Sequence, residues 1–225
     1  MDFDFERTKL CSENKAPAMF RLYGWKPWSV SLGYNQKESD INLDSCKNLG
    51  FDLVRRPTGG RAVLHADELT YSVVCPLQDG VSAQDCYREI HILLLNGLNK
   101  LLNNKNNNNI LSFEQAQTNF REMYERSSMS MACFAATAKY EIEFQGRKVV
   151  GSAQRTFDRY LLQHGSILLD SGHEQLADIS NISDPERKKQ LKEFMLSHSA
   201  TLTEAFGRKI NFEEAEEVIE YELEN

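Results

Sequence analysis

The chain has 225 residues, a net charge of −7 and 41% hydrophobic side chains, enough apolar material for the core of one domain. Seven of its 33 acidic residues crowd into 210–225, a tail without Lys or Arg, and the 26 that remain face 26 basic ones; a balanced body with an acidic tail argues against nucleic acid as the main partner. No apolar run reaches the ~18 residues of a membrane span, and the acidic opening Met1-Asp2-Phe3-Asp4-Phe5-Glu6 lacks a signal peptide's design, so a cytoplasmic protein with no membrane partner is expected.

In chain order, Asp4 to Asn14 reads as a short helix, and Ala18 to Tyr23 and Trp28 to Tyr34 as strands rich in aromatic and β-branched residues. The apolar run Phe51 to Val54 and the run Leu69 to Val74 read as strands around a tight glycine turn. Ser82-x-x-Asp85 caps a helix from Ala83 to Leu102, with Tyr87, Ile90, Leu94, Leu98 and Leu101 on one face. His91 lies by this stripe and reads as a satisfied core histidine. Residues 103–109 are Asn-rich and are expected to form a mobile loop. Lys139 to Phe144 and Lys148 to Gln154 read as strands joined by a Gln145-Gly146 turn, and Tyr160 to Leu169 as the next strand. Pro185 opens a helix to about Ser197, and Asn211 starts the last, acidic one. The class is α+β, a mostly antiparallel sheet with flanking helices. Cys11, Cys46, Cys75, Cys86 and Cys133 are widely spaced and odd in number, which speaks against disulfides and zinc. No cluster has metal-ligand spacing, so no metal is assigned.

Between the strands around the glycine turn lies the most informative stretch, Arg55-Arg56-Pro57-Thr58-Gly59-Gly60-Arg61-Ala62-Val63-Leu64-His65. As bare chemistry it is either a turn beside a solvated edge or a pocket wall. Glycines let backbone N–H groups approach a ligand, and arginine forks suit phosphate or carboxylate.

This stretch resembles the signature of the biotin/lipoate protein ligase superfamily, in its lipoate-ligase and octanoyltransferase branch. Three more segments match in order: Arg21 to Trp25 with Ser31 to Gln36, Gly146 to Gln154, and Leu162 to Leu169. The resemblance implies one catalytic domain over 1–225 with that superfamily's fold. In the family a strand precedes the first helix, and this chain starts too late to supply it, so one sheet edge is expected to be incomplete. Ligases carry a third Gly where this chain has Arg61 and append a small accessory domain for which the chain has no room after Asn225. Arg61, with Cys133 ahead of the lysine strand, looks more like the cysteine-type octanoyltransferases.

That branch implies transfer of octanoyl from an acyl carrier protein to the lysine of a lipoyl domain or the glycine cleavage H protein, without a cofactor. An ATP- and Mg2+-dependent lipoate ligase working through lipoyl-AMP is the alternative; a lipoyl amidotransferase or a non-catalytic acyl-binding module rank below it. The resemblance makes Cys133 the nucleophile and Lys148 its cationic partner; on chemistry alone they are equally a buried structural thiol and a solvated strand lysine. It places Arg55, Arg56, Thr58, Gly59, Gly60, Arg61, Ala62, Val63, His65, Gly151, Ser152, Ala153, His164 and Gly165 in the acyl or adenylate site, with Arg56, Gly59, Gly60 and Arg61 as its wall. Arg61 is expected to disfavour nucleotide. His65 is expected to orient the loop, with His164 in a similar role, while His173 and His198 look ordinary.

Overall fold

The computed structural model describes residues 2–102, 110–113 and 140–225. Helix α1 (Asp2–Ser12) leads into strands β1 (Met19–Tyr23) and β2 (Ser29–Leu32), followed by α2 (Leu43–Asn48), β3 (Asp52–Arg55), β4 (Val63–His65), β5 (Glu68–Pro76) and α3 (Ala83–Asn99). Next come β6 (Ser112–Phe113), β7 (Ile142–Phe144), β8 (Arg147–Lys148), β9 (Val150–Phe157), β10 (Tyr160–Leu168), α4 (Pro185–His198), α5 (Leu202–Phe206) and α6 (Phe212–Glu224). The class is α+β, as expected. The predicted Asn-rich loop 103–109, Lys139 and Cys133 lie outside the described residues.

The main sheet is antiparallel in the order β1-β5-β10-β9. Its central strand β5 is buried at nearly every residue, because both faces are covered. Leu69, Tyr71 and Val73 pack with Leu94 and Leu98 of α3 and with Ala215 and Ile219 of α6. Val74 and Leu162 meet Cys11 of α1 on the opposite side. A capping box of Ser82 and Asp85 starts α3, and one of Asn211 and Glu214 starts α6, satisfying backbone donors that a helix start leaves orphaned. The acidic tail is therefore an amphipathic helix, its Ala215 and Ile219 buried and most of its glutamates facing outward.

Two expectations need correction. The glycine stretch is not a tight turn between paired strands. Residues 56–62 are a loop, Val63–His65 is a strand of its own, and β3 and β4 flank β2 in a second sheet of order β3-β2-β4. In that sheet β2 pairs parallel with β3 and antiparallel with β4. A loop that must cross over β2 cannot be a two-residue hairpin. The second correction concerns Lys148, which does not open the long strand. It ends β8 in a small sheet of order β6-β7-β8, and β9 begins only at Val150. Val149, between them, donates to the Ile142 carbonyl.

Candidate active site

The glycine loop is held from beneath by Arg56, whose side chain is buried. Its Nε and Nη2 donate to the Gly59 carbonyl at 3.1 and 2.9 Å, and Nη2 donates to the Arg61 carbonyl at 2.6 Å. Nη1 donates to the Ser31 carbonyl and Oγ at 3.0 and 3.1 Å. A planar fork with five donors suits such an array of carbonyls. Gly60 has φ +94°, and its carbonyl would lie 2.0 Å from a Cβ on Gly33, so the two segments touch backbone to backbone. Arg55 clamps the neighbouring loop, its Nη1 donating to the Gly33 and Gln36 carbonyls at 2.9 and 2.6 Å.

Opposite this loop stand β9 and β10, with Gly151 paired to Ser166, Ser152 to Gly165 and Ala153 to His164. A Cβ on Gly165 would lie 2.6 Å from both the Gly151 carbonyl and the Ser152 hydroxyl, so this wall is flat for a backbone reason. Two links tie the halves together. Thr58 Oγ1 lies 2.5 Å from His164 Nε2, and Arg155 of β9 donates to the Pro57 carbonyl at 2.9 Å. Between the halves lies a pocket lined by Ser31, Arg56, Val63, His65, Thr70, Gly151, Ser152, Ala153, His164, Gly165 and Ser166.

Polar groups inside the pocket are ordered in chains. His65 Nδ1 lies 2.6 Å from Glu68 Oε1, and its Nε2 lies 2.8 Å from Ser31 Oγ. A carboxylate only accepts, so Nδ1 carries a proton toward Glu68. The ring also stacks on Trp25 with centroids 4.4 Å apart. His65 is thus fixed by Glu68, Ser31 and Trp25. Burial pushes the His164 pKa down to about 3, aided by the Arg56 charge, so that imidazole is neutral.

Behind the β9 wall runs a second chain. Gln163 Nε2 donates to the Tyr71 hydroxyl at 2.9 Å, and that hydroxyl lies 2.7 Å from Ser152 Oγ. Ser152 Oγ lies 2.8 Å from His91 Nε2, and His91 Nδ1 donates to the Tyr140 carbonyl at 2.7 Å. Burial lowers the His91 pKa to about 4, which keeps Nε2 an acceptor for Ser152. Lys148 is not among the residues lining the pocket. Its Nζ meets Glu141 Oε1 at 2.7 Å, with both side chains about 5% exposed.

The pocket thus gathers Arg56, Val63, His65, Gly151, Ser152, Ala153, His164 and Gly165 from the sequence-based set. Thr58 supports it through His164. Arg55, Gly59, Gly60 and Arg61 are exposed and Ala62 is buried; none of these five is in the lining. Ser31 and Ser166 line the pocket and sit inside segments that carry the resemblance, yet their roles were not singled out. Glu68, Thr70 and Glu141 had no signal beyond being polar residues in strand-like runs, where alternation would put them outside. His173 is buried with Nε2 2.7 Å from Ser199 Oγ, and His198 closes α4. Among the described residues no three His, Cys, Asp or Glu side chains gather as metal ligands.

The model of the lipoyl protein ligase A/B catalytic domain matches residues 1–224. The chain belongs to that family. Octanoyltransferase LipM of Clostridioides difficile (strain 630) is 40% identical over 198 residues, covering 86% of this chain and 69% of that protein. Octanoyltransferase LipM of Geobacillus kaustophilus (strain HTA426) is 37% identical over 210 residues, covering 92% and 73%. The bi-partite lipoate protein ligase of Thermoplasma acidophilum superposes with a TM-score of 0.68 over 97% of this chain and 77% of that one. A lipoate-protein ligase A solved with ATP gives 0.66 over 97% and 79%. At 19% and 20% identity, these two structures establish the lipoyl ligase catalytic fold alone. Among the described residues no helix is long and apolar enough to cross a membrane.

Proposed function

We propose that this chain is an octanoyltransferase of protein lipoylation that works through a thioester on Cys133. The reading is carried by the similarity to LipM octanoyltransferases over most of the chain, and the described pocket agrees with it chemically. Its lining is small and largely neutral, with Gly151, Ala153, Gly165 and Val63 beside ordered hydroxyls, a surface for an alkyl chain rather than for several phosphates. The one guanidinium in that lining, Arg56, engages loop carbonyls and Ser31.

In the first half-reaction the Cys133 thiolate attacks the carbonyl carbon of octanoyl-acyl carrier protein. A C–S bond to the enzyme forms, and the C–S bond to the carrier breaks. The carrier thiol leaves with a proton. In the second, the amine of an acceptor lysine on a lipoyl domain or H protein attacks the enzyme thioester. A C–N bond forms, the C–S bond breaks, and the proton released by nitrogen returns to sulfur. Lys148 stabilises the carbonyl oxygen as negative charge develops on it. The acyl group arrives already activated as a thioester and leaves as an amide, a downhill exchange, so no nucleotide is consumed.

Intact-mass spectrometry after mixing with octanoyl carrier protein tests this. An octanoyl adduct is expected on the native chain and not on Cys133→Ser, which also loses transfer to a lipoyl domain. Full transfer by Cys133→Ser, or transfer that requires ATP and free octanoate, would overturn it.

A further inference from the structure

Lys148 does not stand alone, and how it is held carries a further assignment. Its Nζ meets Glu141 at 2.7 Å inside a region where a bare charge is costly. The Lys148 backbone is tied from the other side, its carbonyl accepting from Ala200 N at 2.9 Å. Glu141 in turn follows Tyr140, whose φ of +72° is rare for a residue with a bulky side chain. Helix α3 secures that conformation. His91 donates to the Tyr140 carbonyl at 2.7 Å, and Arg88, one turn earlier on the same face, lies 6.0 Å from the Tyr140 ring. The ring also meets Phe113 edge-on at 6.1 Å. An uncommon backbone conformation held by a helix, immediately before a buried carboxylate, is what is required to deliver that carboxylate to one place.

We propose that Glu141 is a positioning residue for the transfer reaction: its carboxylate aims the Lys148 ammonium, and α3 sets Glu141 through the His91–Tyr140 clamp. The same His91 meets Ser152 of the pocket wall at 2.8 Å, so one imidazole sets both the wall and the carboxylate behind it. The inference rests on Lys148 acting at the acyl carbonyl, as proposed above.

Steady-state transfer to a lipoyl domain by Glu141→Gln and Glu141→Asp tests it, with Lys148→Ala alongside. A displaced ammonium is expected to lower kcat of Glu141→Gln on the order of 10- to 100-fold, with KM for the carrier changed less than about twofold. Glu141→Asp keeps the charge on a shorter arm and is expected to recover part of kcat, which a merely space-filling role would not produce. Where Glu141→Gln does not fold, Glu141→Asp carries the test through a reduced kcat at unchanged KM. Unchanged kcat in a folded Glu141→Gln, or losses confined to KM, overturn the assignment. If Lys148→Ala itself keeps the full rate, the functional reading of Lys148 fails, and the two failures are thereby told apart.

Discussion

Two buried cations, Arg56 and Lys148, are held by opposite means. Arg56 makes five hydrogen bonds to neutral oxygens of its own loop and of β2. Lys148 faces the carboxylate of Glu141. The guanidinium is built into the architecture, where a planar fork organises a loop that has little side-chain substance of its own. The ammonium is a compact charge on a flexible stem, and a counter-charge keeps it in place. The motif arginine therefore shapes the loop, and the catalytic role proposed for the lysine is the part the variants test.

The contrast is broken most severely at the lysine. Lys148→Met leaves a buried carboxylate and is expected to destabilise the chain by about 3–5 kcal/mol in urea unfolding. The double variant Lys148→Met, Glu141→Leu is expected to recover most of that loss while remaining inactive. A double variant as unstable as the single one would mean that the pair matters to the fold in its own right. On the loop side, Gly33→Ala drives a methyl into the Gly60 carbonyl and is expected to cost about 3 kcal/mol, with loss of acyl binding. Arg56→Lys withdraws the fork and is expected to cost about 2 kcal/mol, with no single partner change restoring it.

The buried histidines also carry an acid effect. His91 and His164 have folded pKa values pushed down to about 4 and 3 by burial, whereas an unfolded histidine titrates near 6.5. Below pH ~6.5 the unfolded chain takes up protons that the folded chain refuses. Stability is therefore complete above that pH and falls as the pH drops toward 4, by up to about 1.4 kcal/mol per pH unit for each histidine. Urea midpoints between pH 7 and 4 should show this slope, and His91→Gln should reduce it to the His164 share. Smallest of all, Gly59→Ala meets nothing within 4 Å and is expected to shift stability by less than about 0.5 kcal/mol. A large loss there would mean that the exposed glycine edge packs against more than the described residues.

Much of this molecule was legible along the chain. Helices α3 and α6 have their capping residues three apart and their apolar residues at helical spacing, signals that lie within a few turns. The pairing of β9 with β10 followed from two adjacent strand-like runs. Eight of the pocket residues were found because they sit in motif segments that resemble a family, not because their spacing showed a cavity. Ser31 and Ser166 belonged to those segments too, but a serine in a strand looks the same whether it faces a pocket or a core. The separation of β8 from β9 was invisible, since Lys148 to Gln154 reads as one extended run.

The sequence by itself determined the fold class, the caps and the family, because those are written in local spacing and in contiguous motifs. Only the tertiary structure decided that Arg56 faces inward to carbonyls, that Glu141 pairs with Lys148, and that His91 joins the pocket wall to Tyr140. Each of these is a contact between residues on different elements. A chain carries no local mark of which distant atom will meet a buried charge; the requirement that every such charge find a partner is met only once the sheets and helices have packed.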